Sequence, residues 1–466
     1  VCQECGAVSG KWAGRCEACG SWNSIVEEAA EAAPGGAAGL GRGGRPVAFV
    51  GLTGESQPPP RMTSGIAEFD RVSGGGLVPG SAVLIAGDPG IGKSTLLLQA
   101  MAALAANGVG CAYVSGEESV DQVRLRAARM GLADAQVDLA AATSLRDILA
   151  GLEKLKRPGV VVIDSIQTMF VDSLESAPGT VAQVRAAAQS LIRLAKARGF
   201  SLLLVGHVTK EGLIAGPKVL EHMVDCVLTF EGERGHQFRI LRAVKNRFGA
   251  TNEIGVFEMT DQGLQEVPNP SALFLAERGE AVAGAAVFAG MEGSRPLLVE
   301  IQALVSPSPL ATPRRAVVGW DAGRLAMILA VLEARCGLVI AGQEVYLNVA
   351  GGLRIAEPAA DLAVAAALVS ALQGTPVPED SVIFGEIGLS GEVRAVGQSE
   401  ARLKEAKKLG FRTAIVPRRR RAAGKRQTLE GMDLREMTHL SDLIDEIGSA
   451  PRVVAGPRSR SAEGQG

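Results

Sequence analysis

The sequence predicts an α/β protein of about three folding units. Its 466 residues exceed what a single hydrophobic core usually organises. Short continuous apolar runs, VLIAG, GVVVID and SLLLV, alternate with longer helical stretches such as SVDQVRLRAARMG and TVAQVRAAAQSLIRLAKARG. Strands without polar alternation suit a parallel sheet covered by helices on both faces. Composition agrees: 47% apolar residues, 58 glycines and only 4% aromatics fit α/β layers better than a β-sandwich. The net charge of −2 supplies no global field for nucleic acid, so any such binding must come from local patches. No apolar run approaches the length of a membrane span.

The first segment, CQECGAVSGKWAGRCEACGSW, pairs Cys2 with Cys5 and Cys16 with Cys19 in two C-x-x-C knuckles. Ten residues separate the pairs, and Gly6 and Gly20 free the turns. Two knuckles complete a tetrahedral thiolate site suited to Zn²⁺. A segment this small depends on the metal for its folding energy. Two disulfides or an iron–sulfur cluster are the alternatives. Lys11, Trp12 and Arg15, between the knuckles, could meet nucleic acid or a partner domain. The remaining cysteines, Cys111, Cys226 and Cys336, read as buried thiols, which suits a reducing, cytoplasmic setting. The opening VCQECG is no signal peptide, and a few native residues are expected before Val1. The zinc knot thus covers 1–26, and a Gly/Ala/Pro-rich tether covers 27–60.

A phosphate cradle follows in SAVLIAGDPGIGKSTLLLQAMAALAANG. Gly87, Asp88, Pro89, Gly90, Ile91, Gly92, Lys93, Ser94 and Thr95 complete G-x-x-x-x-G-K-[ST] between a strand and a helix. The glycines let backbone N–H groups face phosphate at a helix N-terminus. Lys93 supplies a charge to the β- and γ-phosphates of ATP, and Ser94 can ligate Mg²⁺. The next strands end in Glu117 and Glu118, in Asp164, and in His207, Thr209 and Lys210. Functional groups at the carboxyl ends of strands are the mark of a doubly wound domain. Asp164 suits a carboxylate holding Mg²⁺ through water. It is followed by Ser165 rather than an acid, so the group polarising water must come from another strand. Glu117 is the candidate and Glu118 the fallback, with His207 placed to sense the γ-phosphate. A solvated turn for Glu117 and a hydrogen-bonded turn for His207 are the plain readings.

Further on, AVKNRFGATNEIG places Lys245 and Arg247 in a polar turn between the strand-like runs FRILRAV and IGVFEM. By itself this is a solvated hairpin tip. The stretch TSGIAEFDRVSGGGLVPGS at 63–81, the phosphate loop, SGEES, VIDS and GHVTKEG resemble the core of RecA-type ATPases. With the four-cysteine knot and KNRFG, the chain is similar to the bacterial RadA (Sms) family from Val1 to about Gly448. The resemblance implies a RecA-like core over 61–272 that assembles as a homo-oligomer, expected to be a hexameric ring. It implies that Lys245 and Arg247 reach a neighbour's ATP, with Asn246, Phe248 and Gly249 shaping the turn. It also implies DNA-dependent ATP hydrolysis and branch migration in recombinational repair, on single-stranded or branched DNA and alongside RecA. DNA contacts would come from TMFVDSLESAPGTVAQ and from KEGLIAGPKVLEH with Lys210 and Lys218. The alternative is an ATP-switched assembly or signalling protein that does not bind DNA.

The last third, 284–450, reads as a separate α/β unit that looks like the proteolytic domain of Lon proteases. Ala359 and Ala360 stand about where its nucleophilic Ser would fall, and Glu400 about where its Lys would fall, with Lys404 one turn later. Without nucleophile and base no acyl transfer proceeds, so a peptidase is not expected. Ser370 and Ser399 lack the expected context. Arg314 and Arg315, with Arg324 opening the next helix, are candidates for DNA phosphate. The RRRR run at 418–421 and its neighbours Lys425 and Arg426 read as a solvated loop, and 451–466 as a disordered tail.

Overall fold

The computed structural model describes residues 2, 13–17, 20–25, 60–207, 218–232, 237–251, 253–275, 281–418 and 431–448. The chain divides into two compact units, Val1–Val267 and Pro268–Gly466.

Among the described residues, the first unit carries a nine-stranded sheet. In chain order its strands are β1 (Ala82–Gly87), β2 (Cys111–Ser115), β3 (Val137–Ala141), β4 (Val160–Asp164), β5 (Ser201–His207), β6 (Cys226–Glu231), β7 (Phe238–Asn246), β8 (Ile254–Thr260) and β9 (Gly263–Glu266). Across the sheet the order is β3-β2-β4-β5-β1-β6-β7-β8-β9. The strands from β3 to β6 are parallel, and β7, β8 and β9 continue antiparallel. The continuous apolar runs are explained by burial on both faces. Val83, Ile85 and Val162 join Leu97 and Met101 of the helix Lys93–Ala106 in one core. Leu84, Val161 and Ile163 join Val184, Ala187 and Leu191 of the helix Val181–Arg198 in the other. Alternate residues of one strand serve opposite cores, as a two-residue period requires.

The segment after β4 is tied down by one side chain. Gln183, 2% exposed, accepts from the Val171 amide at 2.7 Å and donates to the carbonyls of Leu174 (3.2 Å) and Ser176 (2.8 Å).

The second unit has a seven-stranded sheet among the described residues. Its strands are β10 (Ala285–Glu292), β11 (Arg295–Pro307), β12 (Arg315–Val318), β13 (Gln343–Val349), β14 (Ser381–Ile383), β17 (Thr413–Pro417) and β18 (Asp433–Met437), while β15 (Glu386–Ile387) and β16 (Val393–Arg394) pair separately. The helix Asp361–Gln373, buried from Asp361 to Ser370, packs on β10 and β11. The boundary expected at 272 falls a few residues late. Arg295 Nη2 donates to the Pro268 carbonyl at 2.7 Å, and the Leu298 amide donates to Ser271 Oγ at 3.0 Å, so Pro268–Phe274 folds with the second unit. Among the described residues, no helix is long and apolar enough to cross a membrane.

Candidate nucleotide site

The loop between β1 and the helix Lys93–Ala106 is shaped by glycine. Gly92, the residue before the helix, has φ 115°, and a Cβ there would stand 2.8 Å from Met259 Cε. An L side chain would pay both backbone strain and a clash. Lys93 is 3% exposed and donates to the carbonyls of Gly87 (2.8 Å) and Asp88 (2.9 Å). Burial lowers its pKa to about 8, against the pull of Asp164, Glu117 and Asp88. Asp88, Pro89 and Gly90 stand exposed at the tip, while Ser94 and Thr95 open the helix partly covered.

Around this loop the parallel strands deliver the expected acids. Asp164 ends β4 and is 5% exposed. Its Oδ2 accepts from the Tyr113 hydroxyl, and its Oδ1 is buried without a partner. A carboxylate oxygen left open beside a phosphate loop fits a divalent cation and its waters. Glu117 Oε1 accepts from Ser165 Oγ at 2.6 Å and lies 2.9 Å from His207 Nε2. The His207 contact, opposed by burial and helped by Ser165, lowers the Glu117 pKa to about 2. Glu118, the fallback, is taken by an ion pair with Arg126. Beyond Glu117 lies a cavity of 570 Å³, lined by Ser165, Gln167, Phe170 and His207 among others. Gln167 Nε2 donates to the His207 carbonyl at 3.2 Å, while Gln167 Oε1 and His207 Nδ1 are buried without partners. Sequence reasoning passed over Tyr113, Ser165 and Gln167. Their signal was only that polar groups interrupt or follow the apolar strands.

Lys245 and Arg247 stand at the end of the same sheet opposite the phosphate loop. Lys245 Nζ donates to the carbonyls of Glu221 (2.5 Å) and Val224 (2.9 Å). Arg247 Nη1 donates to Asp225 Oδ1 at 3.0 Å, with the Arg247 side chain 57% exposed. The other Asp225 oxygen accepts from the Ala82 amide, at the start of β1. Gly87 is five residues further along that strand, about 16 Å at the usual rise. The cations therefore point away from their own phosphate loop. Their turn is rigidly seated: Asn246 Oδ1 accepts from the Phe248 amide at 2.8 Å, Arg61 Nη2 donates to the Phe248 carbonyl at 2.5 Å, and Gly249 closes on Gly74. KNRFG thus packs on the SGGG turn, a link absent from the linear sequence.

Lys218 is exposed on the helix Lys218–Glu221, and Lys210 lies outside the described residues. In the N-terminal knot, Cys2 and Cys16 are buried. Gly20 donates to the Cys16 carbonyl at 2.8 Å, and the Arg15 guanidinium lies 5.7 Å from the Trp22 ring centre. Cys5 and Cys19 lie outside the described residues. Buried sulfurs in a two-knuckle pattern suit a thiolate metal site.

Three family models match the chain. Residues 1–27 match the rubredoxin metal binding domain, residues 62–212 an AAA domain, and residues 324–420 subunit ChlI of Mg-chelatase. Over 457 residues the chain is 60% identical to the DNA repair protein RadA of Brucella abortus, covering 97% of each. The chain belongs to the RadA family. Relatives of the same name in Rickettsia felis and Pseudomonas aeruginosa are each 53% identical, covering 96% of this chain and 98% of their own. The RadA architecture is thus a metal-binding ribbon, a RecA-like ATP-binding core and a Lon-like α/β domain.

In that last domain the expected nucleophile position is filled by the buried methyl groups of Ala359 and Ala360. Glu400 pairs with Lys404 at 2.7 Å on the surface. Ser370 is consumed structurally, donating to the Thr375 carbonyl and accepting from the Gly284 amide. Two ion pairs flank the alanines: Glu357 with the buried Arg402, and fully buried Asp361 with Arg324 at 2.5 Å. This corrects the expectation for Arg324, whose guanidinium is committed to Asp361 rather than open to phosphate. Arg314 and Arg315 are exposed, Arg315 donating to the Gln343 carbonyl on the edge of the sheet. Of the basic run at 418–421, Arg418 alone lies within the described residues.

Proposed function

We propose that this chain is a DNA-dependent ATPase that drives branch migration in recombinational repair, working in the cytoplasm beside a RecA filament. Six copies form a ring, with ATP held between neighbours. One observation carries the reading: Lys245 and Arg247 are held at the end of the sheet opposite their own phosphate loop. Cations so placed serve a nucleotide only on another subunit, where they offset charge developing on the γ-phosphoryl. The names of the relatives, DNA repair protein RadA, support the biological setting.

Within a subunit, the loop Gly87–Thr95 cradles the phosphates. On binding, Lys93 exchanges its two loop carbonyls for phosphate oxygens. Ser94 and Asp164 would hold Mg²⁺, which supplies charge neutralisation between the phosphates. Glu117 orients the attacking water, and His207 relays the state of the γ-phosphate to the segment after β5. Cys2, Cys5, Cys16 and Cys19 would hold Zn²⁺ as a structural centre. Lys210, Lys218, Arg314 and Arg315 contact the backbone of single-stranded or branched DNA.

The test is ATP hydrolysis by the purified protein with and without single-stranded DNA. A clear rise with DNA, lost in Lys93→Ala, supports the motor. Hydrolysis indifferent to DNA, with none retained in a binding assay, overturns it in favour of an ATP-switched protein without DNA.

A further inference from the structure

The core of an α/β domain rarely places a tyrosine hydroxyl at its functional edge without use, because a buried hydroxyl needs partners. Tyr113 lies in the middle of β2 and is 1% exposed. Its neighbour two residues on, Ser115, is in register with Asp164 on β4, so Tyr113 sits one pleat behind the acid on the same face. The ring packs in the core with Leu97, Met101 and Val162. Its hydroxyl donates to Asp164 Oδ2. The hydroxyl therefore holds one oxygen of the carboxylate proposed to ligate the cation and leaves Asp164 Oδ1 open.

We infer that Tyr113 is a positioning residue for the Mg²⁺ site, holding Asp164 in ligating orientation before the cation and nucleotide arrive. The inference rests on the nucleotide–Mg²⁺ reading proposed above. Mg²⁺ demands near-ideal octahedral geometry and tolerates misplaced ligands poorly. A group fixing a ligand from behind lowers the cost of assembling that geometry, as groups behind metal ligands generally do. Donation to Oδ2 also decides which carboxylate oxygen faces the cation.

The experiment is binding of a fluorescent ATP analogue, titrated with Mg²⁺ and separately in excess EDTA. Tyr113→Phe removes the hydroxyl and keeps the packing. It should raise the half-saturating Mg²⁺ about tenfold or more, the usual effect of losing a group behind a metal ligand. Affinity in EDTA should be unchanged, which also reports an intact fold. In an Asp164→Asn background the same change should have no further effect. An unaltered Mg²⁺ midpoint in Tyr113→Phe, with wild-type binding clearly Mg²⁺-dependent, overturns the Tyr113 assignment alone. Wild-type binding indifferent to Mg²⁺ overturns the cation site itself and this inference with it. If Tyr113→Phe does not fold, the wild-type fold still decides. The chain has two tyrosines, so a 3-fluorotyrosine-labelled protein has two ¹⁹F resonances, assigned with Tyr346→Phe. Mg²⁺ added to the ATP-bound protein should move the Tyr113 resonance, and an unmoved resonance overturns the proposal.

Discussion

Lys93 shows how a single residue balances burial against function. Its ammonium is held near pKa 8 because burial penalises charge. Bound phosphate favours the charged form, so above about pH 8 binding must also take up a proton. Affinity for an ATP analogue should therefore be flat below pH 8 and weaken as pH rises through it, as titrations at successive pH values would show. Glu117 behaves oppositely. With a pKa near 2 it is ionised at every working pH, so its protonation should leave no acidic limb in hydrolysis above about pH 4. Glu117→Gln should bind nucleotide normally and lose about 10²–10⁴ in turnover, the range for a positioned proton-transfer group. Normal turnover in that variant would remove Glu117 from the chemistry. Lys93, Glu117, Asp164 and His207 were legible in the sequence because each ends or follows a continuous apolar run. Tyr113 was not legible, since its partner Asp164 lies 51 residues away and the meeting depends on strand register.

At the scale of elements, the continuous runs of β1, β4 and β5 declared themselves because both faces are buried. The strand β3 did not, because it is a half-exposed sheet edge with no such run. The segment after β4, a candidate source of DNA contacts, is tied down by Gln183. Gln183→Ala would leave those buried groups unpaired at about 1–3 kcal/mol. Faster amide exchange confined to residues 171–176 would verify this, and unchanged exchange would refute it. In the second unit, Asp361 is fully buried beside Arg324, and burial raises its pKa against that pull. Arg324→Met should cost about 3–5 kcal/mol in urea unfolding near neutral pH. The deficit should shrink as pH falls, since an unpaired buried carboxyl is relieved by protonation. A deficit independent of pH would mean the pair matters only by packing.

For the whole molecule, the testable question is whether catalysis is shared between subunits. Lys93→Ala has a dead phosphate loop but intact cations, and Arg247→Ala the reverse. Each alone should be nearly inactive. Their mixture should recover hydrolysis, because some interfaces pair an intact loop with an intact Arg247. No recovery on mixing, or normal activity of Arg247→Ala alone, would rule out action in trans.

The sequence by itself determined the α/β class, the phosphate loop, the four-cysteine pattern and the missing peptidase nucleophile. These are local facts, written in spacing and periodicity. Only the tertiary structure decided that Tyr113 meets Asp164, that KNRFG seats on the SGGG turn away from its own phosphate loop, and that Arg324 is spent on Asp361. Such contacts join residues far apart in the chain. They depend on strand order and register, which burial of the whole sheet selects and which no single segment carries.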